Sequence, residues 1–581
     1  MAPDRQSDDP TAEGLIHHLF EARRRIGGRD RSEHRRRVKE ATIASLAVDR
    51  LIRPSLAYSM TGAGLHAIAI RGDEIAAASP DPNGLDDLIG TTTVVTDCPD
   101  LWVLPAFSDA HEHLMEAASN LSLVPVESAR SIAEFTAKVA AAAAALPPGK
   151  WVMTSMAWHE SNLAEGRLPT AAELDAASPE HPVFARRGGH LAVASTAALA
   201  AAGITPTTPD LPGGGIGHDE TGALNGVVEG GAVYRVMGAA PSPDPETLVS
   251  GLKAASSAYA ALGVGAIREA LVNLEQLGVY QRAHEAGALS LRVRPMIAVP
   301  NDVGAQSAID LVRGIGVHSG FGDDWLRIWG LKLVADGGVE GAAMREPFAD
   351  DPGASGHLNW DPDQMYEVCL DAVRHGWRIG THAVGDRAVD LVLDVYERVL
   401  GAAGPVRAGT LVLEHALVAD TEQRRRAVRL GVPVTVQHAL LWNMGSEMVA
   451  KWGDERAAGA NAIDEWIKEG ADLSVGTDLV RPFNPMTNVW GMVTRGTNVA
   501  GVLGPEHAID REAAIRLYTS GSARLDREDG RRGTLEEGRL ADLVAYGGDP
   551  FVVDVDELAE LTPVFTMVGG RSVHDPDGRL G

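Results

Sequence analysis

The chain has 581 residues, of which 45% are hydrophobic and 23% charged, with a formal net charge of -27. That length and apolar content exceed the needs of one ordinary domain and exclude a disordered chain, while the acidic balance disfavours nucleic acid and anionic membrane as partners. Only Cys98 and Cys369 occur, which excludes a disulfide framework or a Cys-rich zinc site and fits a reducing, cytoplasmic setting.

Residues 1–44 are polar and charged and predict an N-terminal extension without a basic-then-apolar signal segment. Its Arg-rich stretch from Arg23 to Arg37 is interspersed with acids and predicts a solvated helix or arm. Residues 45–104 carry short β-like runs. In "HAIAIRGDEIAAAS", Gly72-Asp73 separates two of them and predicts a hairpin. No apolar run approaches the roughly 20 residues of a membrane span.

Residues 105–525 alternate strands and helices. The stretch near 120–245 is longer than one β/α unit and predicts an insertion over the mouth of the sheet. Within it, the Ala140–Ala145 run before Pro147 predicts a helix end. "LSLRVRPMIAV" predicts a strand. Asp361 or Asp363 can cap the next helix, with Gly376 as its stop, and Asp420 and Gly431 repeat that logic. The apolar runs "WRIGTHAVGD", "GTLVLEHALV", "VPVTVQHAL" and "ADLSVGTD" complete a βαβα pattern, which implies a parallel sheet with helices outside. Residues 526–581 return to short strands and Gly-containing turns, so both ends of the chain predict one small β domain.

"VLPAFSDAHEHL" carries His111 and His113 two residues apart, on one face of a strand. Such a pair can bind a metal or simply be two polar residues at a strand end. Lys332, His382, His415 and Asp478 each lie at the end of a later apolar run. Ionisable groups there are costly unless paired or metal-bound. Parallel barrel strands all end on one face, so residues far apart in sequence can converge.

In this order, "PAFSDAHEHL", "KLVADGG", "THAVGDRAVDLVLDVYE", "LEHAL", "GTD" and "GTLEEGRLADLVAY" resemble the amidohydrolase superfamily. The resemblance runs from about residue 62 to the end. More narrowly, it is to the subgroup containing N-substituted formamide deformylase. It implies an α/β fold: a (β/α)8 TIM-like barrel with a small β-sandwich domain built from both ends of the chain. It implies metal ligands at His111 and His113 (strand 1), His382 (strand 5), His415 (strand 6) and Asp478 (strand 8). Lys332 matches a strand-4 lysine that is N-carboxylated in binuclear members, because a carbamate can bridge two ions and an ammonium cannot. Zinc, as one or two ions, suits these ligands and would bring the pKa of water to about 7. Asp478 would serve as ligand and proton shuttle.

His190 matches a subgroup histidine and is a candidate substrate contact. Trp158, Glu229 and Trp442 are candidates to line the pocket, with core or lid packing as the alternative. Asp386 is expected to cap the helix after strand 5. "ADGGVEGAAMREPF" has neither the Ser nor the Thr usual in the subgroup's loop, and His438 stands where proline is common. Both departures bear on the substrate more than on the metal. The expected function is hydrolysis of a linear amide or N-substituted formamide, a small molecule. Opening of a cyclic amide, deamination and a non-catalytic scaffold are the alternatives. The assembly stays open, a homodimer included.

Overall fold

The structure, a computed structural model, describes residues 47–581 except 63, 121, 122, 157, 189, 190, 211–214, 242, 243, 302 and 480. The expected extension at 1–44, with its Arg23–Arg37 stretch, lies outside these residues.

Continuous apolar runs are stable as strands only when both faces are covered. Eight parallel strands meet that condition and are almost wholly buried. In chain order they are β1 (Phe107–Glu112), β2 (Val264–Glu269), β3 (Arg292–Val293 and Met296–Ala298), β4 (Gly330–Val334), β5 (Ile379–Ala383), β6 (Leu411–His415), β7 (Val434–Val436) and β8 (Leu473–Val475). The sequence reads β3 as one run, but Pro295 has no N–H to give and splits it. The hydrogen bonding therefore forms two ladders, β1–β2–β3 and β3–β4–β5–β6–β7–β8. Past its end, β8 turns to β1. The N–H of Asp478 donates to the His111 carbonyl at 3.0 Å. A Cβ on Gly476 would stand 2.5 Å from the His111 nitrogen, so only glycine permits this approach. The order is that of a TIM-barrel-like α/β fold.

The helices outside follow their local signals. Pro362–Arg374 starts on the Asp361 cap and stops before Gly376, whose φ is 85°. Thr421–Leu430 runs from an Asp420/Gln423 capping box to left-handed Gly431. Asp386 departs from expectation. The cap of Asp386–Ala402 is Gly385, and Asp386 is the first helical residue. The reason is tertiary: the carboxylate of Asp336, beyond β4, takes the N–H groups of Val384 and Gly385 at 2.9 Å each, so the entry is held from another loop.

Between β1 and β2 lies the insertion, a five-stranded sheet running from Val152–Met153 to Leu224–Glu229 in sequence. Its helix Ile132–Ala144 ends just before Pro147, as expected. Strands from residues 50–105 and 543–574 meet in one mixed eight-stranded sheet. There Val94–Pro105 pairs parallel with Arg50–Tyr58 and antiparallel with Leu543–Tyr546. The Gly72-Asp73 hairpin forms, with Arg71 opposite Glu74. Among the described residues, the ladders of these segments give this one sheet. Among the described residues, no helix is long and apolar enough to cross a membrane.

Candidate metal centre

β1 brings His111 and His113 to the same end of the parallel strands, and the turn after β8 brings Asp478. One ligand atom from each of these three lies within 4.8 Å of the others. Asp478 Oδ1 is 3.1 Å from His113 Nε2 and 3.9 Å from His111 Nε2, and its Oδ2 is 3.8 Å from His415 Nδ1. Buried Lys332 places Nζ 3.0 Å from His111 Nε2. The His415 ring lies 4.7 Å from that of His111 and 4.5 Å from that of His382. His382 is turned partly aside: its Nε2 meets the Gly337 carbonyl at 3.0 Å, which leaves Nδ1 with the lone pair.

Three of these positions are strained. Asp478, His415 and Ala416 have φ of 56°, 72° and 48°. A non-glycine residue in this region costs about 1–3 kcal/mol, and such residues cluster at functional sites. The strain at β6 has a visible result. A regular strand would send Glu414 and His415 to opposite faces, yet here Glu414 bonds His111 while the His415 ring packs on it.

The ionisable groups of the site strongly perturb one another. Burial pushes the Lys332 amine down to about 8, although Glu414 and Asp478 oppose that shift. Burial also brings His111 to about 4, with the Lys332 charge adding to it. Against burial, Asp478 holds His113 up to about 9, while His111, His113 and Lys332 hold Asp478 down to about 2. His415 is 1% exposed, and neither ring nitrogen has a hydrogen bond among the described residues. Buried polar atoms without partners are rare and costly. Imidazole and carboxylate donors suit zinc, so the residues present fit a divalent ion at His111, His113, His415 and Asp478.

The structure treats the expected pocket residues unequally. Trp158 takes the core-packing alternative in the insertion: it lies against Phe135, with rings 4.7 Å apart, and its Nε1–H donates to the Arg186 carbonyl at 2.6 Å. Glu229 is exposed at the end of the insertion's Leu224–Glu229 strand. Trp442 is half-buried and packs on Phe483, 5.0 Å away, in the segment that follows Asp478. His190 lies outside the described residues. Asp478 caps no helix: the next one, Pro485–Thr494, is capped by Asn484. His438 is wholly buried at the start of helix His438–Trp452.

Several site residues escape the sequence reading. Glu116, one turn after His113, pairs at 3.2 Å with Arg186 and so ties the insertion to the mouth. Asp109 accepts from the N–H of His111 and of Thr477, linking β1 to the β8 turn. Glu414 and Arg268 lie beneath His111. The signal that could have found Arg268 is a charge inside the apolar run "VGAIREA", since such a charge needs a partner.

Residues 94–574 match the family described as "Amidohydrolase family". An N-substituted formamide deformylase of Arthrobacter pascens is 27% identical over 528 residues, 87% of this chain and 92% of that protein. An uncharacterized metal-dependent hydrolase from Pyrococcus horikoshii OT3 superposes with a TM-score of 0.72 at 26% identity, covering 88% of this chain and 99% of its own. Another, from Pyrococcus furiosus, gives 0.70 at 24% identity, covering 86% and 99%.

Proposed function

The chain belongs to the amidohydrolase family, and on that premise we propose that it hydrolyses a C–N bond of a small linear amide or N-substituted formamide with one or two zinc ions. The observation that carries this reading is the convergence of His111, His113, His415 and Asp478 beside buried Lys332, at the strand ends where this architecture places its chemistry. Those four residues would hold the ion, with His382 adding Nδ1. A bound ion would supply a Lewis acid for the carbonyl and bring the pKa of water to about 7.

The chain's own residues do the rest. With its pKa pulled down to about 8, Lys332 keeps a share of uncharged amine near neutral pH. That amine can add to CO2: an N–C bond forms as one C=O π bond of CO2 breaks, one amine proton leaves to solvent, and the resulting carbamate carries one negative charge shared by two oxygens. Asp478 stays ionised, takes a proton from the attacking water and passes it to the leaving nitrogen. In this reading the two ladders form one (β/α)8 barrel over residues 105–525, and segments 45–104 and 526–581 form a small β-sandwich domain.

The test is a screen of formamides, N-acyl amines, cyclic amides and amino-substituted rings with zinc present, read by release of amine or ammonia and, for ring opening, by the mass gain of one water. The expected result is amine release from linear substrates, lost on chelation and regained with zinc. Ring opening, or ammonia release from an amino-substituted ring, would overturn the linear-amide reading.

A further inference from the structure

Beneath the candidate ligands, an ion pair crosses the interior between β2 and β6. Arg268 and Glu414 are both fully buried, with Nη2 donating to Oε2 at 2.6 Å. The same Oε2 lies 2.7 Å from His111 Nδ1 and also accepts from the Thr435 hydroxyl. Arg268 Nε donates at 2.6 Å to the carbonyl of Ala110, the residue before His111. The guanidinium stacks on Trp329, 4.5 Å from the ring centroid. Space for the carboxylate comes from Gly380 on β5, where any Cβ would collide with Glu414 Oε1.

A buried ion pair is weak evidence of stability, since apolar residues of equal volume often do as well or better. This pair has a second consequence. A neutral imidazole has one N–H and one lone pair, and a carboxylate can only accept. The contact with Glu414 therefore puts the proton on Nδ1 and the lone pair on Nε2. That Nε2 faces Lys332 at 3.0 Å and Asp478 at 3.9 Å.

We infer that Glu414 and Arg268 are positioning residues that fix the tautomer and ring pose of His111, so that Nε2 is its ligating atom. Glu414 orients the ring directly. Arg268 acts through it, balancing its charge and anchoring the backbone just ahead of His111. This rests on the proposed role of His111 as a ligand.

The experiment compares wild type with His111→Ala, Glu414→Gln and the double variant Arg268→Met/Glu414→Leu. The double variant leaves no orphaned charge and keeps a folded comparison available if Glu414→Gln is unstable. One readout is the 15N spectrum of the imidazoles in metal-free protein, with the His111 ring identified by its loss in His111→Ala. The other is zinc affinity by competition with a chromophoric chelator. Wild type should show His111 protonated on Nδ1, and both Glu414 variants a mixed tautomer with zinc affinity down about 10–100-fold. A wild-type His111 protonated on Nε2, or wild-type zinc affinity in both variants, would overturn the positioning role. If His111→Ala binds zinc as tightly as wild type, the ligand reading fails first and takes this inference with it. If His111→Ala alone loses zinc, only the positioning role fails.

Discussion

Asp478 occupies a left-handed backbone position 3.1 Å from His113, with no helix to cap. Asparagine is nearly isosteric and can still offer an oxygen, but it cannot carry a proton. Asp478→Asn should keep most of its metal and lose about 10²–10⁴-fold in turnover, the usual share of a general acid–base group. Metal analysis and steady-state rates on one preparation check this, and a normal rate would end the shuttle role. Lys332→Ala should lower both bound metal and activity, with formate or acetate restoring part of the activity by standing in for a carbamate. Full activity without added acid would remove the lysine from the mechanism. These residues were legible because each is a polar group ending an apolar run. Glu414 was not, although it adjoins His415. Strand alternation would send it to the other face, whereas here the backbone leaves the regular strand, with positive φ at His415 and Ala416, and both neighbours reach His111. Arg268 acts through Glu414, so no spacing rule reaches it.

At the level of elements, caps and stops were readable because they are local: Asp361, Asp420 and Gly431 behave as their chemistry predicts. Asp386 does not, since Asp336 on another loop has taken over the helix entry. The same tertiary logic ties the segment after helix Ser522–Leu525 to β3. Buried Glu528 accepts from Arg294 at 2.9 Å, from Arg532 at 2.5 Å and from Arg327 at 3.1 Å. Breaking such a pair from one side costs about 3–5 kcal/mol. Glu528→Gln should therefore lower stability at pH 7 by about that much in denaturant melts. Burial works to raise the Glu528 pKa, but Arg532 and Arg294 outweigh it and hold the carboxyl far below its ordinary value of 4.5. With the folded pKa below the unfolded one, this contribution is complete above the ordinary carboxylate range and is lost as pH falls below it. The gap between wild type and Glu528→Gln should thus be full at pH 7 and narrow steadily below about pH 4.5. A gap that widens with acid would contradict the assignment.

Across the whole molecule, the terminal sheet and the parallel strands form one connected scaffold. Arg292 of β3 and Asp542 beside the terminal strand Leu543–Tyr546 make a buried two-bond pair at 2.8 Å. The alternation of elements and the gathering of both chain ends into one sheet were visible in the sequence. The insertion's own five-stranded sheet was not, because its strands are short and glycine-rich turns hide their period. The scaffold matters because it aims side chains from β1, β4 and β6 and the β8 turn at one point. A second group of possible ligands, Asp464, Glu465 and His507, lies elsewhere, but Lys468 already fills it with ion pairs of 2.8 and 2.9 Å to the two acids. Anomalous diffraction at the zinc edge from zinc-loaded crystals discriminates most directly. The expected result is a peak about 2.0–2.2 Å from His111 Nε2, His113 and Asp478. Well-ordered loaded crystals with no peak there, or with zinc only at Asp464 and His507, would contradict a metal centre at the ends of the parallel strands.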